Sequence, residues 1–229
     1  MELSPRLQAV ADWVPNGAKV ADIGTDHGYL PVWLILNQRI NEAVAADLRA
    51  GPLDAARRTA EKYEVAEQIS FRLCDGLTGI KPDEVDTVAI AGMGGETIAG
   101  ILEAAPWTRE EGTLLLLQPQ TAFFELRDYL SKNGYRILNE KIIREGFRLY
   151  IAIEAKGGDP DEMNTGELWA GKNFDDPLRG EYLDWISSVL KKALDGKQKA
   201  AHADEMELAQ LRQALADIQT MKEEWESWQ

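Results

Sequence analysis

Residues 19–30 read Lys-Val-Ala-Asp-Ile-Gly-Thr-Asp-His-Gly-Tyr-Leu. The apolar run from Lys19 to Ile23 stops at Gly24, a polar, glycine-bearing turn follows, and a helix-compatible run begins near Pro31. A buried parallel strand running through a glycine turn into a helix has this signature. Such a turn points backbone N–H groups and a helix N-terminus beyond the carboxyl end of the strand, the geometry by which open α/β sheets bind nucleotides.

The pattern continues on both sides. Upstream, residues 2–14 predict an amphipathic helix with Ser4 as N-cap, Pro5 at the first helical position and Leu7, Val10, Ala11 and Val14 on one stripe. Asn16-Gly17 then turns the chain into the first strand. Downstream come a helix over about 31–39, a second buried strand over 42–48 that closes on Asp47, and a helix over about 52–63. A third strand over 68–76 puts Ile69, Phe71 and Leu73 on one face and stops at Asp75-Gly76. The fourth, 85–95, runs into a second glycine turn, Ala91-Gly92-Met93-Gly94-Gly95, followed by a helix to Ala105. Unbroken leucines in 112–120 suit a strand buried on both faces, and the helix over 121–133 stops at Asn133-Gly134. Segments 135–143 and 147–155, joined by Arg144-Glu145-Gly146, read as an antiparallel hairpin.

Five strands alternating with helices and closed by a hairpin predict an α/β fold: a Rossmann-like seven-strand sheet of the class I methyltransferase kind. A dinucleotide dehydrogenase would need a second nucleotide-binding half and a substrate domain, for which about 155 residues leave no room. From Gly157 to about Pro177 the chain is polar and reads as a linker. Beyond it Leu183, Ile186, Leu190 and Ala193, then Leu208, Leu211, Leu215, Ile218 and Trp225, recur at spacings of three and four. That predicts a coiled-coil-like pair of antiparallel helices over about 178–194 and 203–227, with Asp195-Gly196 between the two runs. The expected domains are 1–157, a methyltransferase domain, and 158–229, a linker with a helical hairpin.

A chain of 229 residues, 45 % hydrophobic, can bury one well-packed domain and an appendage. No apolar run reaches the roughly 18 residues of a membrane span, and a cytosolic protein is expected. One cysteine, Cys74, excludes an intramolecular disulfide and any multi-cysteine metal site, and no metal is expected; its apolar surroundings favour a plain buried thiol over a nucleophile. The net charge of −14 argues against a general polyanion sink. It is unevenly spread: residues 157–229 hold 8 Lys and Arg against 16 Asp and Glu, net −8, which leaves −6 for residues 1–156.

Three carboxylates fall at consecutive strand ends. Asp22, with Asp26 in the turn after it, can receive an ammonium or water bound to it. Asp47 can take both hydroxyls of a ribose, and Asp75 suits the exocyclic amine of adenine. Each alone is more often a turn or capping aspartate; three on one edge of a sheet are harder to explain so. Small residues at Gly24, Thr25 and Gly28 allow close approach of a ligand to the backbone, although the motif is not the dinucleotide pattern and an ordinary strand-to-helix turn also accounts for it. His27 is either an acid–base group or a pocket-lining ring, and His202 reads as surface. The bare backbone at 92–95 offers a surface for a flat base, or a helix N-terminal turn that needs positive φ. Gln118, before Pro119, can read a base edge or satisfy a local backbone group.

Val-Ala-Asp-Ile-Gly-Thr-Asp-His-Gly-Tyr-Leu-Pro at 20–31, Asp75-Gly76, Ile-Ala-Gly-Met-Gly-Gly at 90–95 and Leu-Gln-Pro at 117–119 closely resemble the bacterial tRNA (adenine-N1)-methyltransferases acting on adenine 22, the TrmK family. The resemblance spans nearly the whole chain, because that family also carries a C-terminal pair of helices. Gln120 departs from the asparagine that follows Leu-Gln-Pro in the family. The resemblance implies S-adenosyl-L-methionine as cofactor, held by Asp22, Gly24, Thr25, Asp26, Gly28, Tyr29, Leu30, Asp47, Leu48, Asp75, Gly76 and Gly92. It implies tRNA as partner, met by Met93, Gly94, Gly95, Gln118 and Pro119, with Asp26 and His27 nearest the chemistry. Among Arg127, Lys132, Arg136, Lys141, Arg144 and Arg148, with Arg6, Arg57 and Arg58 elsewhere, a subset is expected to converge on tRNA phosphates. Lys191, Lys192, Lys197 and Lys199 offer the helical pair a grip on tRNA; a dimerising hairpin fits that pattern equally, so a monomer or weak dimer is expected. Two other readings stay open on the residues alone: a methyltransferase for a different acceptor, and a cofactor-less interaction module.

Overall fold

The computed structural model describes residues 1–110, 112–160, 162–172, 175–199 and 204–228. They form two compact units, Met1–Asp161 and Glu162–Gln229.

In the first unit α1 (Pro5–Trp13) starts as its sequence dictates: Ser4 Oγ accepts from Leu7 N and Pro5 fills the first turn. Then come β1 (Val20–Ile23), α2 (Tyr29–Leu36), β2 (Ala43–Asp47), α3 (Ala50–Lys62), β3 (Ile69–Leu73), β4 (Thr87–Gly94), α4 (Gly95–Glu103), β5 (Leu114–Thr121), α5 (Phe123–Lys132), β6 (Tyr135–Glu145) and β7 (Arg148–Gly157). Both inner strands β1 and β2 are buried along their whole length, as is expected of parallel strands covered on two faces. The strands form one seven-stranded sheet in the order β3-β2-β1-β4-β5-β7-β6, with β7 antiparallel to both its neighbours. The order reverses at β1/β4, and in an open α/β sheet such a switch point opens a crevice at the carboxyl edge. Asp22 sits there, paired in register with Ala45 on one side and Ala89 on the other.

Several boundaries move. The third strand ends at Leu73 rather than running to Gly76, so Leu73 is exposed and Cys74 is only partly buried. Once the chain leaves the sheet, alternation no longer puts an apolar side chain in the core. The hairpin strands are longer than expected and leave only Gly146-Phe147 as the turn.

In the second unit the expected linker contains a short helix, α6 (Thr165–Ala170), started by a capping box between Asn164 and Glu167. Polar composition concealed it. The helices α7 (Arg179–Gln198) and α8 (Glu205–Ser227) run antiparallel: Gly180 packs on Trp225, Lys222 pairs with Asp184 at 2.5 Å, and Lys197 pairs with Glu207. α7 continues through Asp195-Gly196, since one glycine in a long exposed helix costs only about 1 kcal/mol. The α8 stripe is Leu208, Leu211, Ala214, Ile218 and Met221, so Ala214 and Met221 replace Leu215 and Trp225 as its most buried members. His202 lies outside the described residues.

Candidate active site

A cleft of about 560 Å³ opens at the carboxyl edge of β1–β5, a volume suited to a cofactor-sized ligand. It brings together Asp22, Gly24, Thr25, Asp26, His27, Tyr29 and Leu30 from the first turn. Asp47 and Leu48 after β2, Asp75 and Gly76 after β3, and Gly92, Met93 and Gln118 from the middle strands join them.

The first turn is built by backbone demand. Gly24 and Gly28 both have φ near +70°, and Gly24 N and Thr25 N donate to Ala46 O at 2.8 and 3.0 Å, which ties the turn to β2. An added Cβ at Gly24 would lie 2.1 Å from Met93 Cε, so glycine here lets β4 reach the floor of the cleft. Asp26 has φ +49°, a left-handed conformation that aspartate tolerates better than most residues. It lines the cleft with its side chain largely exposed.

Asp22 is the buried member of the acid set, 5 % exposed, and accepts from Thr25 Oγ1 at 2.6 Å. Burial pushes its carboxyl up to about 6; the Thr25 hydrogen bond opposes that rise and the charge of Asp47 adds to it. Asp47 is also buried, with Oδ1 accepting from Arg49 N at 2.9 Å, which fixes its rotamer and leaves Oδ2 for a ligand. Asp75 is exposed at the far wall.

His27 and Asp26 do not form a proton-relay pair. Nε2 and Oδ2 are 3.7 Å apart, too far for a hydrogen bond, and both side chains are more than half exposed. His27 instead stacks on Tyr29, ring centroids 5.3 Å apart and planes within 13°. Gln118 is buried and donates through Nε2 to Pro119 O at 2.8 Å, the local backbone role, though its side chain still borders the cleft.

Four expected residues do not line the cleft: Gly28, Gly94, Gly95 and Pro119. Two of them are closely packed. A Cβ on Gly28 would meet Ala56 Cβ at 2.9 Å, and one on Gly95 would meet Ala122 O at 2.0 Å, so both glycines permit close packing. Of the second glycine turn only Gly92 has positive φ, +83°.

Besides Arg6, one of the expected cations, and Gln120, the position that departs from the family pattern, the cleft takes in residues to which sequence reasoning gave no place in the site. Arg6, Leu7 and Ser4 enter from α1, Thr97 and Ile101 from one face of α4, and Arg49, Cys74 and Gln120 from the loops and β5. Only Thr97 and Ile101, four apart on a helix that follows a glycine turn, gave a usable signal. Gln120 lies against Gly92, where an added Cβ would be 3.5 Å from its Nε2. The basic set is also revised. Arg127 is fully buried and its Nε donates to Glu140 at 2.7 Å, so it braces the fold and cannot meet a phosphate. Lys132 pairs with Asp128, and Arg57 lies over the Phe71 ring.

Residues 3–153 match the family described as a methyltransferase domain. The tRNA (adenine(22)-N(1))-methyltransferase of Bacillus subtilis is 42 % identical over 166 residues, 72 % of this chain and 70 % of that protein. The chain belongs to this family. The crystal structure of B. subtilis TrmK, the m1A22 tRNA methyltransferase, superposes with a TM-score of 0.85 at 32 % identity, covering 96 % of this chain and 99 % of that one. M. capricolum TrmK in complex with S-adenosyl-homocysteine gives a TM-score of 0.81 at 28 % identity over 97 % and 99 % of the two chains. Among the described residues no cluster of His, Cys, Asp and Glu could hold a metal ion, and no helix is long and apolar enough to cross a membrane.

Proposed function

We propose that this chain transfers a methyl group from S-adenosyl-L-methionine to N1 of adenine 22 in tRNA, in the cytoplasm. The observation that carries the reading is the carboxylate-lined cleft at the switch point of a sheet whose family acts on that substrate. The donor set fits the cofactor: a buried carboxylate at Asp22 for an ammonium, a fixed one at Asp47 for vicinal hydroxyls, and Asp75 with Leu48 for an adenine ring. When bound, the cofactor supplies a sulfonium methyl open to in-line attack.

Adenine N1 carries an available lone pair and needs no deprotonation, which agrees with the absence of a relay between Asp26 and His27. The chain's task is then positioning and electrostatics. Asp26, at the cleft mouth, stabilises positive charge as it passes to the base. His27 and Tyr29 form a stacked wall that shapes the pocket. Met93, Gln118 and Gln120 border the side on which the adenine enters, once it is extruded at a cost of a few kcal/mol. Residues 1–157 are the catalytic domain in this reading. Residues 158–229 hold tRNA through the exposed Lys191, Lys192 and Lys199 of the helical pair, Lys197 being tied to Glu207.

Incubation with labelled S-adenosyl-L-methionine and a cognate tRNA transcript tests the reading. N1-methyladenosine should appear at position 22 and vanish when that adenine is replaced by guanine. Asp26→Asn should turn over at least tenfold more slowly at saturating cofactor. Label in another nucleoside, or in protein, overturns the acceptor; wild-type turnover by Asp26→Asn overturns its electrostatic role.

A further inference from the structure

Beside the cleft, the β6–β7 hairpin ends in a two-residue turn, Gly146-Phe147, closed by the Glu145–Arg148 pair. Gly146 takes φ +60° and Phe147 does not have positive φ, the pattern of a turn that requires glycine at its first central position and tolerates any residue at its second. Small polar residues usually fill such places. Here the position carries a phenylalanine exposed to 107 % of its reference surface, so the ring contributes no packing to the fold.

A lone exposed apolar side chain is ordinary on a protein surface. The location of this one is not. Leu117 pairs with Ile153 and β7 runs antiparallel to β5, so the start of β7 at Arg148 stands level with the carboxyl end of β5 at Thr121, on the edge where the cleft opens. Arg6 fixes the hairpin to the cleft wall. It lines the cleft, donates to both oxygens of Glu145 at 2.9 and 3.0 Å, and lies over the Tyr150 ring at 4.5 Å. Arg144 and Arg148, both exposed, flank the tip. A solvent-facing aromatic ring on a strand-paired hairpin tip that also carries arginines is an arrangement by which proteins take up unpaired bases, since every base has a stacking face.

We propose that Phe147 is a stacking platform for an unpaired tRNA base neighbouring the methylated adenine, with Arg148 on an adjacent phosphate. The inference rests on the tRNA reading above and adds a positioning residue to it. Stacking on the hairpin holds the strand beside an acidic cleft that would otherwise repel its backbone.

The test measures tRNA binding at several salt concentrations, kcat and KM for tRNA, and cofactor affinity, on the full chain and four variants. Phe147→Ala should weaken tRNA binding about fivefold to a hundredfold, with cofactor affinity and salt slope unchanged. Phe147→Trp should restore binding, and Phe147→Leu, apolar but without a π face, should not. Arg148→Gln should lower the salt slope by about one. Wild-type tRNA affinity and KM in Phe147→Ala, or full rescue by leucine, would overturn the proposal while leaving the enzyme's activity standing. If the wild-type chain neither binds nor methylates tRNA, the tRNA reading fails and this inference with it.

Discussion

Replacing Asp22 by asparagine separates the energetic cost of the site from its use. A carboxyl that ionises near 6 instead of at its ordinary 3.8 favours the protonated form in the folded state. Below about pH 4 the group is protonated folded and unfolded, and contributes nothing. Between about 4 and 6 the folded chain binds more protons than the unfolded one, so stability falls as pH rises, and above 6 the full penalty is present. At about 1.4 kcal/mol for each pH unit that penalty is about 3 kcal/mol. Asparagine removes it, and the opposing hydrogen bond from Thr25 is already counted in that net figure. The ligand-free variant should therefore be about 3 kcal/mol more stable than the wild type at pH 7.5, a rise in Tm of about 6–12 °C, and the gap should close towards pH 4. Cofactor affinity should move the other way, falling at least tenfold in calorimetry as the ammonium loses a charged acceptor. Thermal unfolding between pH 4 and 8 without ligand checks the first half. A variant no more stable than wild type at pH 7.5 would refute the claim that desolvation dominates at Asp22.

Two further substitutions probe the packing around the cleft. Gly24→Ala puts a methyl group 2.1 Å from Met93 Cε on a residue with φ +70°, so the Met93 side chain must swing aside into the cleft and the backbone is strained; a loss of about 1–2 kcal/mol in urea unfolding and at least tenfold weaker cofactor binding are expected. Arg127→Ala strands the carboxylate of Glu140, which is 4 % exposed, and should cost about 3–5 kcal/mol in the same assay. Cofactor and tRNA affinities of the folded fraction should be unchanged, because Arg127 faces the core.

The sheet and its first turn were legible because they follow from short-range rules. Val20 to Ile23 is buried throughout and apolar but for Asp22, and Gly24 sits where β2 accepts the turn's N–H groups, so strand, turn and ligand edge can all be read from a dozen residues. The acids at 22, 47 and 75 could be placed on one edge once the strands were counted. What stayed hidden depended on contacts distant in sequence. Nothing in residues 2–14 says that Arg6 reaches Glu145, 139 residues away, and so enters the cleft. Arg127 looked like one more surface cation because burial by β6 is invisible in helix periodicity. Nothing in the sequence shows that Ala56 lies against Gly28 and Ala122 against Gly95, where an added Cβ would clash. α6 was concealed because a capping box stabilises a helix too short to show a stripe.

The acidity of the chain then becomes part of the mechanism. Asp22, Asp26, Asp47 and Asp75 share one cleft, and the arginine that enters it from α1 is already paired with Glu145. Such a site attracts an ammonium and a sulfonium and repels phosphates. A tRNA can reach it only by delivering a base while its backbone stays outside, which is what extrusion of the target adenine achieves. Methyl transfer moves the positive charge from sulfur to the base, and the charge remains within reach of the same carboxylates throughout. The field that binds the cofactor therefore also favours the charged product base, and release must draw on the hydration of that base and on re-pairing of the strand outside. Cations that hold the backbone belong at the rim, where Arg148 is exposed, and neutralising it should change tRNA affinity and its salt dependence without changing cofactor affinity.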